Sequence, residues 1–234
     1  MRQLPLNVRL RDRALFESYL PGPNAAMLAQ LRALAEFQRP GLTWLSGPEG
    51  SGKTHLLQAL CARAGVGAAY VPLSQLEPYG PAALAGWQGA RWLCLDDAAS
   101  VIGQPAWERA LFGAYRDCEE RGASLLMAAR AVPPQLPFAL PDLASRCAAG
   151  QRLSLRALDE REQCAALRLR AQQRGFELPD ETALYLQRRL PRDMSSLFAV
   201  LDELDTAALA AQRRLTVPFI REVLAQRAAP PTRS

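Results

Sequence analysis

Residues 47 to 54 form a glycine-rich motif whose spacing is suited to holding phosphate groups. The segment reads Gly-Pro-Glu-Gly-Ser-Gly-Lys-Thr and satisfies the pattern G-x-x-x-x-G-K-[ST]. Between a strand and a helix, such a loop directs backbone N–H groups and the positive end of the helix at phosphate oxygens. Lys53 would neutralise the β- and γ-phosphates, and Thr54 would ligate Mg²⁺. The candidate nucleotide-binding residues are Gly47, Pro48, Glu49, Gly50, Ser51, Gly52, Lys53, Thr54 and the adjoining His55.

Lys53 is the single lysine among 28 lysine and arginine residues, and His55 is the single histidine. Arginine replaces lysine at little physical cost on a solvated surface, so a lysine retained at this position indicates that a compact ammonium is required. One histidine excludes His-rich metal sites, and a Ser-His-Asp triad would have to use His55. On the first turn of the predicted helix, His55 is expected to make a packing or polar contact and to have no catalytic role.

Two adjacent carboxylates follow a predicted buried strand further along the chain. The apolar run Leu93–Leu95 leads directly to Asp96 and Asp97. After a phosphate-binding loop, an acid at the end of a strand can hold the water shell of Mg²⁺, and its neighbour can orient the water that attacks a phosphate. We therefore assign Asp96 to the metal side, together with Thr54, and Asp97 to the water-positioning place.

Short apolar runs alternate with helical patterns through the first two thirds of the chain. They predict strands at 42–46, 68–73, 91–95 and 123–129, and helices at about 24–37, 53–63 and 105–121. This alternation predicts an α/β fold in which helices cover both faces of a parallel sheet. The first two dozen residues predict an extended arm that leads to Asn24 as a helix N-cap. The segment 77–89, which contains several Pro and Gly residues, carries no assignment.

After residues 151–155 the pattern becomes wholly helical. Asp159 and Glu162 have the spacing of a capping box, and Gly175 predicts the end of that helix. Further helices are predicted from Pro179 to before Pro191, at about 192–212 and at about 217–227. We divide the chain into an N-terminal arm (1–20), an α/β core (21–155), a small helical domain (156–228) and a tail (229–234).

The composition excludes several classes of protein. A formal charge of +5, with acidic and basic residues interspersed, is compatible with a nucleic-acid partner without arguing for one. The five cysteines form no C-x-x-C pair, which predicts reduced core thiols in a cytoplasmic protein. Arginines interrupt every apolar run near the N-terminus, so no signal peptide is predicted. No run approaches the roughly 20 apolar residues of a membrane helix.

The two motifs, followed by a helical domain, resemble the AAA+ ATPases, and further segments resemble the Hda family of DnaA homologues in the replication-initiator branch. These segments are Phe16-x-x-Tyr19-x-Pro21-Gly22, Gly-Lys-Thr-His-Leu-Leu at 52–57, Leu-Pro-Asp-Leu-Ala-Ser-Arg at 140–146 and Arg-Gly-Phe-Glu-Leu-Pro at 174–179. The resemblance extends from Gln3 to about Arg227. It implies an AAA+ P-loop NTPase core, with a parallel sheet flanked by helices, and a small all-helical lid. The family lacks the helix-turn-helix domain that DnaA carries after its lid. Since this chain also stops at the lid, we expect a regulator.

The resemblance also implies roles for individual residues. Arg146 falls where the family has an arginine finger, which reaches the nucleotide of a neighbouring subunit and stabilises charge during hydrolysis. Arg192 matches the sensor 2 arginine, which contacts nucleotide phosphates from the lid. Phe16 and Tyr19 match the segment that borders the adenine, although aromatic residues at this spacing are equally consistent with a simple core.

Two positions depart from the family pattern. The strand that ends in Ala128 and Ala129 lacks the polar sensor 1 residue, and Asp97 stands where many AAA+ hydrolases have glutamate, although the DnaA branch accepts aspartate. These departures predict weak or absent intrinsic ATPase activity. They fit a protein that holds ADP or ATP, with Mg²⁺, as a structural ligand while it acts on the ATP of a partner.

The N-terminal arm contains a second candidate site. Gln3-Leu4-Pro5-Leu6-Asn7-Val8 resembles the peptide with which bacterial proteins dock on the DNA polymerase III sliding clamp. In that peptide a glutamine amide fixes the orientation while spaced aliphatic side chains enter a preformed apolar pocket. The candidate partner-binding residues are Gln3, Leu4, Leu6 and Val8.

The resemblance thus implies a cytoplasmic, replisome-associated bacterial regulator of the initiator DnaA. Docked on the DNA-loaded clamp, it would stimulate hydrolysis of DnaA-bound ATP through Arg146 and limit initiation of replication. DNA would be contacted mainly through the clamp, and no membrane partner is expected. The alternatives are an autonomous AAA+ ATPase, such as a helicase loader, and a DNA-binding initiator-like module. The nucleotide bound in the cell and the formation of a homodimer stay open.

Overall fold

The computed structural model describes residues 14–37, 39–87, 89–191 and 193–228. Arg192, the predicted clamp-binding residues Gln3, Leu4, Leu6 and Val8, and the tail 229–234 lie outside the described residues. The chain divides into two compact units. The first comprises the residues up to Tyr19 together with 24–48 and 52–155. The second comprises 20–23, 49–51 and the residues from Arg156 onwards. We describe each unit by itself.

A five-stranded, fully parallel sheet forms the centre of the first unit. Its strands are β1 (Gly41–Ser46), β2 (Ala68–Pro72), β3 (Trp92–Asp96), β4 (Ser124–Ala129) and β5 (Gln151–Ser154). Their order is β2-β3-β4-β1-β5, so the carboxyl ends of β1 and β3 lie on either side of β4. Residues that follow β1 and β3 can therefore meet above β4, at the edge where ligands bind in open α/β sheets.

Helices cover both faces of this sheet. They are α1 (Ala25–Glu36), α2 (Lys53–Ala64), α3 (Leu73–Leu76), α4 (Pro105–Glu120) and α5 (Pro141–Ala149). Because successive strand residues point to opposite faces, Trp44, Leu93, Leu95 and Met127 pack with α4 and α5, whereas Leu45, Cys94, Leu126 and Leu153 pack with α1 and α2. The predicted α/β fold with a parallel sheet covered on both faces is confirmed.

Four helices make up most of the second unit: α6 (Glu160–Gln173), α7 (Asp180–Arg189), α8 (Met194–Ala211) and α9 (Val217–Ala228). The predicted capping box is confirmed, since Asp159 accepts from the Glu162 N–H and Glu162 accepts from the Asp159 N–H. Buried residues from all four helices share one apolar core. Two arginines, Arg170 in α6 and Arg174 at its C-cap, pair with carboxylates of α8: both with Asp202, and Arg174 also with Asp205.

Three parts of the chain differ from the prediction or were absent from it. The described part of the arm is not extended, because Phe16–Ser18 and Gly22–Asn24 form 3-10 helices and Phe16 is buried. Asn24 takes the N-cap place, but its side chain donates to the Tyr19 hydroxyl at 3.2 Å and does not cap α1. The unassigned segment contains 3-10 helices at Glu77–Tyr79 and Pro81–Trp87, and the helix α5 was not predicted.

All five cysteines are free. Cys94, Cys118 and Cys147 are buried, as core thiols would be, whereas Cys61 and Cys164 are half-buried. None of the helices described for this chain combines the length and the apolar character needed to cross a membrane.

The backbone turn between α5 and β5 leads to a testable prediction. A Cβ added at Gly150 would lie 2.7 Å from the Leu42 carbonyl oxygen. Gly150→Ala should therefore lower the free energy of unfolding by about 1–3 kcal/mol, the usual cost of overpacking. Chemical denaturation monitored by circular dichroism measures the change.

The matched control is Gly113→Ala, in the middle of α4. A Cβ at Gly113 meets no atom within 4 Å, and glycine is exposed there. The better helix propensity of alanine should raise the stability by about 0.5–1 kcal/mol. Equal effects of the two substitutions would contradict the close approach of Gly150 to β1.

Candidate nucleotide-binding site

The phosphate-binding motif lies between the end of β1 and the start of α2, as its sequence predicted. Gly50 and Gly52 have φ angles of 72° and 92°, a region that favours glycine. A Cβ at Gly52 would also lie 2.6 Å from Cε2 of Tyr19. Glycine at position 52 is thus required both by its own conformation and by the aromatic ring that lies against it.

Lys53 points back into the loop. The residue is only 8% exposed, and Nζ donates to the carbonyl oxygens of Gly47 and Pro48, both at 2.8 Å. The ammonium therefore bonds the first residues of the loop and keeps a positive charge at its centre. A planar guanidinium has a fixed fork of donors and does not fit a site built for a compact ammonium. This difference agrees with the retention of lysine at position 53.

Asp96 and Thr54 meet at the carboxyl edge of the sheet. Thr54 Oγ1 donates to Asp96 Oδ2 at 2.6 Å, and the Asp97 N–H donates to the other carboxylate oxygen at 3.0 Å. Asp96 is 1% exposed. Burial raises the pKa of Asp96 above its usual value, opposed by the hydrogen bonds from Thr54 and Tyr70.

Tyr70 is a member of this site that sequence reasoning missed. Its hydroxyl donates to Asp96 Oδ2 at 2.9 Å, the same oxygen that Thr54 contacts. Burial, and then the charge of Asp96, raise the pKa of Tyr70, so the hydroxyl stays protonated and acts as a donor. The short apolar run at 68–73 predicted a strand, but only the strand order reveals that Tyr70 lies beside β3.

Asp97 differs from Asp96 in its exposure and in its hydrogen-bond partners. It is exposed and adopts a left-handed conformation with φ of 54°, which aspartate accepts more readily than most residues. Ser74 in α3 donates to Asp97 Oδ2 at 3.0 Å, and Ser100 donates to its carbonyl oxygen at 2.8 Å. Ser74 is thus a second residue near the acidic pair that the sequence alone did not indicate.

The aromatic pair and His55 form a cluster next to α2. His55 Nε2 lies 2.9 Å from the Leu15 carbonyl oxygen and 3.1 Å from Ser18 Oγ, so the histidine fixes the 3-10 turn that carries Phe16. Phe16 is buried in the core formed with α1 and α2. Tyr19 is half-buried, its ring lies 6.1 Å from the His55 ring, and burial raises its pKa to about 12. Of the two aromatic residues, Tyr19 is therefore the more accessible.

The remaining predicted positions are the end of β4 and Arg146. Ala128 and Ala129 end β4 and are buried, so the sensor 1 place contributes no polar side chain. Arg146 is exposed on α5, and its guanidinium lies 5.8 Å from the centre of the Tyr115 ring in α4. Among the described residues, no group of three or more His, Cys, Asp or Glu side chains could hold a metal ion.

The buried charge of Asp96 leads to a testable prediction. Asp96→Asn should raise the free energy of unfolding at neutral pH, because it removes a buried charge while keeping an oxygen that can accept a hydrogen bond. The pKa of Asp96 is raised in the folded state, so its protonated form contributes stability below the ordinary pKa of about 3.9, and this contribution is lost as the pH rises. The advantage of the variant should therefore grow with pH in a series of urea unfolding curves.

Asp97→Asn is the matched control, because Asp97 is exposed and asparagine also accepts its left-handed backbone. Its stability should stay within about 0.5 kcal/mol of the parent at every pH. A lower stability of Asp96→Asn than of the parent at neutral pH would show that the hydrogen bonds of the carboxylate outweigh its desolvation.

Comparison with known proteins agrees with this geometry. Residues 159–224 match the family model described as "Hda, lid domain". Domain III of the replication initiation protein DnaA from Thermotoga maritima has a similar structure, with a TM-score of 0.75 and 19% identity over 94% of this chain and 98% of that one. At such identity the likeness shows the fold.

Two longer proteins share the fold. AMPPCP-bound DnaA from Aquifex aeolicus superposes with a TM-score of 0.69 and 18% identity, over 84% of this chain and 66% of that one. A RuvB mutant from Thermotoga maritima also has a TM-score of 0.69, with 16% identity over 92% of this chain and 72% of that one. The C-terminal helical region of this chain thus matches the Hda lid family, and its fold is similar to that of domain III of DnaA.

Proposed function

We propose that this protein is a nucleotide-binding AAA+ regulator that stimulates hydrolysis of ATP bound to a DnaA-type initiator. The observation that carries the proposal is the exposure of Arg146 on α5, where its guanidinium contacts the ring of Tyr115. An exposed arginine can enter the nucleotide site of another subunit. The Hda lid match and the DnaA-like fold support an initiator as that other subunit.

The protein's own nucleotide is an adenine nucleotide, ADP or ATP. The loop from Gly47 to Thr54 offers backbone N–H groups at the start of α2, and Lys53 would exchange its bonds to loop carbonyls for bonds to phosphate. Tyr19, against Gly52 and beside His55, would border the base. The AMPPCP held by the related DnaA structure supports this choice of ligand. Arg192 would contact the phosphates from the lid.

Magnesium fits the residues at the sheet edge. Thr54 Oγ1 and Asp96 Oδ2 are 2.6 Å apart and are the hard oxygen donors that Mg²⁺ takes, usually with one or two carboxylates and the phosphates of the substrate. When bound, the ion would neutralise charge on the phosphate oxygens. Tyr70 would keep its bond to Asp96 and so hold the carboxylate in place.

Weak hydrolysis of the protein's own ATP is part of the proposal. Ala128 and Ala129 offer no polar group at the end of β4, and Asp97 is bound to Ser74. The site therefore lacks one group that would orient a γ-phosphate, and its water-positioning acid already has a partner. Bound nucleotide would act as a structural ligand in this site.

The proposed chemical step takes place in the initiator. Water attacks the γ-phosphorus of the ATP held there, the bond to the β–γ bridging oxygen breaks, and ADP and inorganic phosphate are formed. Arg146 would donate N–H groups to the oxygens on which charge accumulates. An arginine supplied in trans is worth roughly 10³ to 10⁵ in rate.

The sliding clamp would bring the two proteins together on DNA. Gln3, Leu4, Leu6 and Val8 would dock in the apolar pocket of the clamp, and DNA would be contacted mainly through it. Conversion of the initiator to its ADP form would then limit further initiation of replication.

One assay tests the proposed finger. Arg146→Ala should lower the stimulated hydrolysis of DnaA-bound ATP by about three orders of magnitude, because the transition-state charge loses its donor. The reaction contains DnaA loaded with labelled ATP, DNA-loaded clamp and the variant, and released phosphate is counted. Arg109→Ala, an exposed arginine of α4, is the matched control and should act like the parent. Stimulation by Arg146→Ala equal to that by the parent would refute the finger.

A second assay tests the clamp site. Alanine at Gln3, Leu4 and Leu6 together should weaken binding to DNA-loaded clamp at least tenfold, about 1.4 kcal/mol, while leaving nucleotide affinity unchanged. Surface plasmon resonance on immobilised clamp measures the change, with Asn7→Ala as the control from the same segment. Unchanged clamp affinity of the triple variant would remove this part of the proposal.

The autonomous ATPase is the second candidate, and the intact contact between Thr54 and Asp96 favours it. The two functions predict different rates of ATP hydrolysis by this protein in the absence of DnaA. Hydrolysis in the absence of DnaA that is abolished by Asp97→Asn would support the autonomous enzyme. Its absence, with full stimulation of DnaA, would support the regulator.

A further inference from the structure

A buried carboxylate on α4 is bonded to the segment that leads into α5. Glu108 is fully buried. One of its oxygens accepts from the N–H groups of Gly103, at 2.7 Å, and Ala139, at 3.0 Å. The other accepts from the N–H of Leu140, the N-cap residue of α5, at 2.5 Å. A single side chain thus connects the start of α4 to the first turn of the helix that bears Arg146.

These bonds are stronger constraints than ordinary helix packing. A buried carboxylate loses its hydration, and three backbone N–H groups compensate for that loss only while they keep their positions. Ion pairs within the described ranges do not involve Glu108. Movement of residues 139 and 140 would therefore leave a charge buried without its donors, which is strongly unfavourable.

The influence of Glu108 extends along α5. Burial, and then the charge of Glu108, raise the pKa of Cys147 to about 12. Cys147 is the residue after Arg146 and is itself buried against α4. The carboxylate is thus close enough to α5 to act on the residue next to the proposed finger.

Tyr115 provides a second contact from the same face of α4. It lies seven residues, or about two turns, after Glu108, so both side chains point toward α5. Its ring lies 5.8 Å from the guanidinium carbon of Arg146, within the range of a cation–π contact. The Tyr115 hydroxyl donates to Glu119 at 2.8 Å, which holds the outer end of the ring in place.

We propose that Glu108 and Tyr115 are positioning residues for Arg146: Glu108 fixes the start of α5 through three N–H groups, and Tyr115 directs the guanidinium. This inference rests on the proposed finger role of Arg146. An arginine used in trans must be presented in one geometry before the partner arrives, because a misplacement of about 1 Å can reduce a rate about 10²-fold.

The test uses Glu108→Gln in the full-length protein. Glutamine keeps the shape but replaces one acceptor oxygen with an NH₂ group, so at least one N–H among Gly103, Ala139 and Leu140 loses its partner. The maximal rate of stimulated hydrolysis of DnaA-bound ATP should fall roughly 10- to 100-fold. The half-saturating concentration of the variant and its affinity for ADP should not change, and amide hydrogen exchange at residues 139 and 140 should become faster.

Tyr115 is tested by a matched pair of substitutions. Tyr115→Leu removes the ring and should lower the maximal rate, whereas Tyr115→Phe keeps the ring and should stay within a few-fold of the parent. Glu120→Gln, on the exposed side of α4, is the control for loss of a carboxylate and should have no effect.

The outcomes separate the two proposals. Equal stimulation by the parent and by Arg146→Ala refutes the finger itself. If those two differ, parent-like rates for Glu108→Gln with faster exchange at 139 and 140 overturn the positioning role. A joint loss of rate and ADP affinity also overturns it, since that indicates a general structural defect. Should Glu108→Gln fail to fold, the Tyr115 pair decides: equal rates for leucine and phenylalanine contradict the inference.

Discussion

Asp96 loses nearly all of its water at the end of β3, and the surrounding structure compensates by supplying hydrogen bonds from three separate elements. Thr54 comes from α2, Tyr70 from β2 and the Asp97 N–H from the loop that follows β3. These donors meet only because β3 lies next to β2 and is separated from β1 by β4. The need to hydrogen-bond the buried Asp96 carboxylate thus links the sheet order, the phosphate-binding loop and the acidic pair. This arrangement places oxygen ligands where a nucleotide with Mg²⁺ would bind.

Among the described residues of this unit, the carboxylates of Asp96 and Glu108 are buried, and they differ in the kind of donor that they accept from. Two of the donors to Asp96 are hydroxyl groups, which can turn away or accept new partners when a cation arrives. All three donors to Glu108 are backbone N–H groups, which have no such freedom. The donors to Asp96 can therefore rearrange around a ligand, as a binding site requires. The donors to Glu108 instead hold the start of α4 and the start of α5 in one geometry. This contrast agrees with the proposal that Asp96 belongs to a nucleotide site and that Glu108 helps to present Arg146.

Much of the fold and part of the candidate site followed from the sequence. The phosphate-binding loop and the strand before Asp96 have short-range signals, because glycine spacing and apolar runs report local structure. Tyr70 and Ser74 could not be found in this way, since their relevance depends on which strands are neighbours. Glu108 was missed for a related reason: a glutamate in an amphipathic helix is usually solvated, and its amide partners come from distant loops. The sequence left Phe16 open between the border of a nucleotide and the core, and its burial with α1 and α2 depends on the 3-10 turn that His55 holds.

The central claim is that the nucleotide hydrolysed belongs to the partner and that the protein's own nucleotide is retained. A dual-label experiment addresses this claim directly: DnaA is loaded with ATP carrying one γ-phosphate isotope, this protein is loaded with ATP carrying another, and both are mixed with DNA-loaded clamp. We expect the label from DnaA to be released as phosphate while the label on this protein stays bound. Release of this protein's own label first, or at the same rate, would contradict the account.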